Sequence, residues 1–176
     1  MRLFKLAIAP VIHKHVACGL VVMLGACASN SPDPHASKEP TRLDLSIAAA
    51  KDVNPDDKRR PAPIVVRVYE LKNDSTFKSE DFFSLQDKDK TVLSDDLTVR
   101  DEFLLRPGDT KAIRRKSDPA TTVIGVLAAY RDLPNAVWRA TYELPLAPAT
   151  AWYRSGNRIK LNIDLGADAI KVTERK

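Results

Sequence analysis

Two-residue alternation of apolar and polar side chains recurs in five separated segments of this 176-residue chain. Leu43, Leu45 and Ile47 alternate with Asp44 and Ser46, and Ile64, Val66 and Val68 alternate with Val65, Arg67 and Tyr69. Trp138, Ala140, Tyr142 and Leu144 form a third set, Ile159, Leu161, Ile163 and Leu165 a fourth, and Ile170 and Val172 a fifth. An extended chain points successive side chains to opposite faces, so this period predicts strands with a covered face. In the Ile64 segment the intervening Val65 and Tyr69 imply partial cover on both faces, and Thr121 to Tyr130, more evenly apolar, reads as a central strand. Val99–Arg106 and Lys111–Lys116 supply two more, joined by Pro107-Gly108-Asp109, where Pro fixes φ and Gly permits φ > 0. About eight strands imply a mainly β, two-sheet sandwich.

One stretch breaks the period. From Ser75 to Leu97 the apolar residues Phe77, Phe82, Phe83, Leu85, Val92, Leu93 and Leu97 stand amid many charges, spaced for short amphipathic helices. Ser79-Glu80-Asp81 offers a helix start, with acids placed for the helix dipole, and Leu85 to Lys88 is expected to divide two helical pieces. The insertion near 75–97 is expected to cover one end or edge of the sheets.

The N-terminus carries a different signal. Arg2, Lys5 and Lys14 precede an eleven-residue apolar run, Val16 to Ala26, which closes on Leu24-Gly25-Ala26-Cys27. A basic start, a short apolar run and small residues before a cleavage point form a secretory signal. A membrane-spanning helix needs roughly 20 apolar residues. With cysteine directly after the small residues, the segment resembles a bacterial lipoprotein signal. That resemblance implies residues 1–26 as signal peptide, with cleavage before Cys27, a diacylglycerol on its sulfur and an acyl group on the new N-terminus. Residues 27–40 then form a lipidated anchor and a Ser-, Pro- and Ala-rich tether, and residues 41–176 the folded domain.

Cleavage changes the chemistry available. Loss of Arg2, Lys5 and Lys14 takes the formal charge from +5 to +2, so no strong basic field argues for nucleic acid. Cys18 leaves with the signal and Cys27 takes the lipid, so the domain has no thiol or disulfide and depends on its apolar core. His13 and His15 leave too, and His35 lies in the tether, so residues 41–176 hold neither His nor Cys. This removes Ser-His-Asp and Cys-His catalysis and the usual zinc ligand sets. The chain reads as a non-enzyme with no cofactor beyond the covalent lipid. The acid pairs Asp56-Asp57, Asp87/Asp89 and Asp95-Asp96 lack the frame of a calcium loop and read as solvated charge, so no metal site is expected.

Two features remain as candidates for binding. Trp138 lies in an alternating series and reads as core, whereas Trp152, beside Tyr153, suits either packing or partner contact. The connection Lys51–Ala62 between the first two strands is long for a hairpin, where two to five residues are usual. Pro55 and Pro61 stiffen it, and Asn54, Pro55, Asp56, Asp57, Lys58, Arg59 and Arg60 place both charge signs at its tip. It reads either as a solvated loop or as a protein-docking loop whose charges set register and association rate.

The order of segments carries a family resemblance. The lipobox, tether and first strand are followed by Pro63 to Leu71, Phe77 with Asp81-Phe82, Leu104 to Gly108, Ile124 to Arg131 and Ala136 to Arg139. Together these resemble the TssJ lipoproteins of bacterial type VI secretion, in order across nearly the whole chain. The resemblance implies a transthyretin-like β-sandwich with a helical element, anchored in the outer membrane and facing the periplasm. It implies the periplasmic C-terminal region of TssM as partner, TssL indirectly through the same complex, and a structural tethering role. The loop between the first two strands contributes to TssM binding in that family, which maps onto Lys51–Ala62 here. The competing expectation is a periplasm-facing lipoprotein that binds glycan or peptidoglycan through Trp152 and Tyr153.

Overall fold

Eight strands form, five at the alternating segments and three at the other segments read as strands. In the computed structural model, which describes residues 40–145 and 157–175, they are β1 (Arg42–Ala49), β2 (Ile64–Leu71), β3 (Leu97–Leu105), β4 (Thr110–Lys116), β5 (Val123–Ala128), β6 (Arg139–Glu143), β7 (Arg158–Leu165) and β8 (Ile170–Glu174). They make two four-stranded sheets, ordered β4-β1-β7-β8 and β3-β2-β5-β6. Neighbours are antiparallel except β1 and β7, which run parallel from Arg42↔Arg158 to Ala49↔Leu165.

The core lies between the sheets. Leu43, Leu45 and Ile47 of β1 and Ile159, Leu161 and Ile163 of β7 meet Ile64, Val66 and Val68 of β2 and Ile124 and Val126 of β5. All are essentially excluded from solvent. Each such side chain contributes about 1.5–3 kcal/mol of burial free energy, and the described residues, which include no cysteine, rely on it without a disulfide among them.

Pro107-Gly108-Asp109 links strands of different sheets. Gly108 takes φ +87° there, a conformation costly for a residue with a Cβ. The turn is tied to the end of β1, since Gly108 N–H donates to Ala49 O at 3.0 Å and Ala49 N–H donates to Asp109 O at 2.9 Å.

The helical insertion covers a face, not an end or edge. Helices α1 (Ser75–Ser79) and α2 (Phe82–Leu93) lie on the outer face of the β3-β2-β5-β6 sheet. Tyr69 and Leu71 of β2 and Val123 and Leu127 of β5 point outward, apolar, and are buried under Phe77, Phe82, Leu85 and Leu93. The physical reason lies in β2 and β5: with both faces apolar, each strand needs a second cover. Gly125 admits the close approach, since a Cβ there would stand 3.1 Å from both Leu71 Cδ1 and Phe77 Cε1.

Local chemistry ends the helices where expected. Asp81 caps α2 by accepting from the N–H groups of Phe83 and Ser84. The helix breaks at Lys88, at φ −133°, so carbonyls before the break lose their helical partners. Arg67, on the outer face of β2, donates to two of them, Leu85 O at 3.1 Å and Gln86 O at 2.6 Å. Arg139 of β6 does the same for α1, donating to Phe77 O and Glu80 O, each at 2.7 Å. A cation at a helix C-terminus is also favoured by the dipole. Trp138 is half-buried rather than core: it packs edge-on against Phe82 at 5.4 Å, with the Arg139 guanidinium 4.6 Å from its ring centre.

Candidate docking pole

The loop 50–63 lies at one pole of the sandwich, built onto the end of β1 and the start of β2. Its base is fixed by burial. Val53 is fully covered, and Ala62 N–H donates to Val53 O at 3.1 Å. Asn54 is only 4% exposed and sits at φ 52°. It stitches three connections together: its amide donates to Pro63 O at 2.9 Å, its Oδ1 accepts from Arg131 N–H at 2.8 Å, and its N–H donates to Ala167 O at 3.1 Å. Asn tolerates that left-handed conformation better than most residues. Asn54 thus anchors the loop instead of presenting a contact surface.

The tip is a side-chain-organised turn. Asp56 Oδ1 accepts from Lys58 N–H and Arg60 N–H, each at 2.9 Å, and Oδ2 accepts from Arg60 Nε at 2.7 Å. The main chain closes alongside, with Arg59 N–H to Asp56 O at 2.7 Å and Arg59 at φ 59°. The Arg60 guanidinium, then its backbone N–H, hold the Asp56 carboxyl below the usual carboxylate range. Asp56 and Arg60 therefore shape the turn, while Asp57, Lys58 and Arg59 stand exposed and, among the described residues, make no ion pair.

Neighbouring connections complete the pole. A cleft of about 470 Å³ runs between Pro55, Asp57 and Arg59 on one side and Tyr130, Asp132 and Asp168 on the other. The Tyr130 hydroxyl donates to Gly166 O at 3.3 Å, tying the β5–β6 and β7–β8 connections together. The pole thus carries mixed charge on a stiff base, an arrangement suited to a protein surface of matching pattern. Among the described residues no group of three or more His, Cys, Asp or Glu is placed to hold a metal ion. Cys27, Trp152 and Tyr153 lie outside the described residues.

Two acids carry a role that the sequence does not disclose. Asp89 is buried rather than solvated, accepting from Arg100 Nε at 2.6 Å, the Tyr69 hydroxyl at 3.0 Å and Arg67 Nη1 at 3.3 Å. Glu70 is fully buried, paired with Arg115 Nε at 2.6 Å. Both hold elements together, Asp89 pinning α2 to its sheet and Glu70 joining β2 to β4 across the sandwich. The signal was an arginine on each neighbouring strand, which only the pairing of strands turns into a partner.

The comparisons with known proteins agree with this architecture. Residues 41–168 match the family model described as type VI secretion lipoprotein, VasD, EvfM, TssJ. The crystal structure of the type VI lipoprotein TssJ1 from Pseudomonas aeruginosa is 39% identical, with a TM-score of 0.69, over 78% of this chain and 98% of that one. Serratia marcescens Lip, a membrane-bound component of the type VI secretion system, is 32% identical, with a TM-score of 0.66, over 75% of this chain and 96% of that one. A structure described as the TssM C-terminal domain from EAEC shares the fold, at 24% identity and a TM-score of 0.57 over 75% of this chain and 97% of that one. Among curated proteins none matches. An eight-stranded sandwich with a helical cover, matched by the family model over most of its length, makes this chain a member of the TssJ family of type VI secretion lipoproteins, structural components and not enzymes.

Proposed function

We propose that this chain tethers a type VI secretion membrane complex to the outer membrane, lipidated at Cys27 and holding the periplasmic C-terminal region of TssM through the loop Lys51–Ala62. The observation that carries the docking half is the loop itself: a stiff base on Asn54 with Asp57, Lys58 and Arg59 exposed at its tip. A pre-ordered loop loses little entropy on binding, so its contacts translate into affinity. Membership of a lipoprotein family and the Leu24-Gly25-Ala26-Cys27 sequence support the anchor, with two or more acyl chains giving stable attachment. The work done is mechanical: one end of the molecule grips the membrane and the other grips TssM.

Calorimetric titration of Thr41–Lys176 into the TssM periplasmic C-terminal region tests the docking half. Saturable binding that falls at least tenfold in Lys58→Glu/Arg59→Glu, at unchanged melting temperature, is expected. Binding untouched by that variant removes the loop from the site, and no binding by a folded domain removes TssM. Cell fractionation of Cys27→Ser tests the anchor: the variant is expected to fold but leave the outer membrane, and its retention there would refute lipidation.

A further inference from the structure

The outer face of the β4-β1-β7-β8 sheet is strongly polarised. Even-numbered residues of β1 point outward, since the odd-numbered ones form the core. The register places Lys116 and Arg158 on either side of Arg42, and Arg114 and Lys160 on either side of Asp44. Arg175 follows, its N–H bonded to Lys160 O at 2.8 Å. Six cations thus share one end of the face with a single carboxylate at these register positions. Asp44 is drawn among three of them, 3.5 Å from Arg114, 3.7 Å from Arg158 and 3.5 Å from Arg175. One negative charge does not neutralise three guanidiniums, and Arg114 and Arg158 remain 75% and 59% exposed. Nor does composition explain the patch, because the chain without residues 1–26 carries only +2 in total.

Position supplies the rest of the argument. The patch surrounds Arg42, where the chain enters β1, at the pole opposite the loop 50–63. Cys27 precedes that entry by 15 residues, a contour of at most ~50 Å. A lipid-anchored domain therefore carries its cations at the end its tether reaches. We propose that this face docks on the anionic phospholipid headgroups of the membrane that holds the anchor. Six Lys or Arg side chains near an anionic surface contribute about 1 kcal/mol each, screened by salt. Contact there turns the docking pole away from the bilayer. The proposal rests on the proposed anchor at Cys27 for its placement and adds a second membrane contact to it.

The test is co-sedimentation of Thr41–Lys176 with phosphatidylcholine vesicles, with or without phosphatidylglycerol. Binding to the phosphatidylglycerol vesicles at low salt, released at high salt and absent on pure phosphatidylcholine, is expected. Arg42→Gln/Lys116→Gln/Lys160→Gln spares the arginines around Asp44 and so keeps the fold, checked by circular dichroism. It is expected to lower partitioning roughly a hundredfold, three charges at about 1 kcal/mol each. The loop variant Lys58→Glu/Arg59→Glu is expected to bind vesicles as the parent does. No binding to anionic vesicles, equal binding to both kinds, or equal loss in the loop variant overturns the proposal. So does capture by soluble polyglutamate without vesicle binding, which assigns the face to an acidic protein. Because the tested domain lacks Cys27, these results stand apart from the fractionation of Cys27→Ser.

Discussion

Replacing Arg115 with methionine isolates a buried carboxylate. Glu70 has no solvent exposure: its Oε1 accepts from Arg115 Nε at 2.6 Å, and its Oε2 accepts from Asp118 N–H and the Thr121 hydroxyl, each at 3.2 Å. The same guanidinium donates to Asp101 at 2.6 Å. Methionine preserves the length of the stem and removes both ion pairs. Breaking a buried pair by deleting one partner costs about 3–5 kcal/mol. Arg115 and Asp101 are 27% and 25% exposed, so water screens part of the loss, and Glu70 keeps two neutral donors. The cost therefore falls to or below the lower end of that range, about 2–3 kcal/mol. For a domain of this size that lowers the melting temperature by roughly 10 °C. Urea denaturation followed by far-ultraviolet circular dichroism reads the change directly. In Glu70→Gln/Arg115→Met the stranded charge is gone, so the double variant is expected to recover about 1–2 kcal/mol relative to additivity. A single-variant loss below about 0.5 kcal/mol, or strict additivity, would refute the assignment of Arg115 as the residue that holds the two sheets together at this edge.

Three further outcomes follow from the same geometry. Gly125→Ala normally favours a strand by about 0.5–1 kcal/mol, but here the new Cβ meets Leu71 and Phe77 at 3.1 Å, so a net loss of about 1–2 kcal/mol in urea is expected, and a gain would refute the crowding. Burial pushes the Tyr69 phenol up to about 12, and the hydrogen bond to Glu174 does the same for Tyr142. Both phenols are held neutral in the fold, so their contribution is complete below pH ~10 and disappears as pH rises through about 12; a urea midpoint flat across that window would contradict this. Asp56→Ala removes the acceptor that shapes the loop tip, so amide exchange at Lys58 and Arg60 should quicken while the global melting temperature stays unchanged, and slow exchange at those amides would show the turn to be held by other contacts.

The parts of the fold legible in the sequence are those that a short window determines. Period-two alternation marks β1 and β7, because each has one core face and one solvent face. Asp81 and the interruption near Lys88 are legible because capping and helix breaks are local events. What the sequence conceals depends on which strands become neighbours. Asp89 looks like one of several surface acids until β2 and β3 place Arg67 and Arg100 beneath it. Glu70 follows Ile64, Val66 and Val68 onto the core face, and the chain shows no partner for its charge until β4 brings Arg115 across from the other sheet. The site divides in the same way: the length and charge of the loop 50–63 are visible in the chain, but the anchoring role of Asn54 depends on Arg131 and Ala167, 77 and 113 residues away.

The topology closes both sides of the sandwich and runs one strand from pole to pole. Each mouth of the sandwich is closed by a cross-sheet contact. Glu70, Arg115 and Asp101 close the β3/β4 side, and the Val137↔Ala169 bridge with the Tyr142–Glu174 hydrogen bond closes the β6/β8 side. With both sides shut and a helical layer over one outer face, the sheets cannot slide without breaking buried ion pairs. A force applied at one pole therefore passes through β1, which is hydrogen-bonded on both sides, to β4 and to β7. The chain enters this strand at Arg42 and leaves it at Ala49 for the loop 50–63, so a single paired strand of about 25 Å joins the tether to the proposed docking loop. Pulling tether and loop apart loads the β1 ladders in shear, with many hydrogen bonds sharing the load, rather than peeling them one at a time. The proposed tethering role would use that geometry, because the chain enters β1 at Arg42 and leaves it for the loop 50–63, so both lie at the ends of one strand paired on both sides.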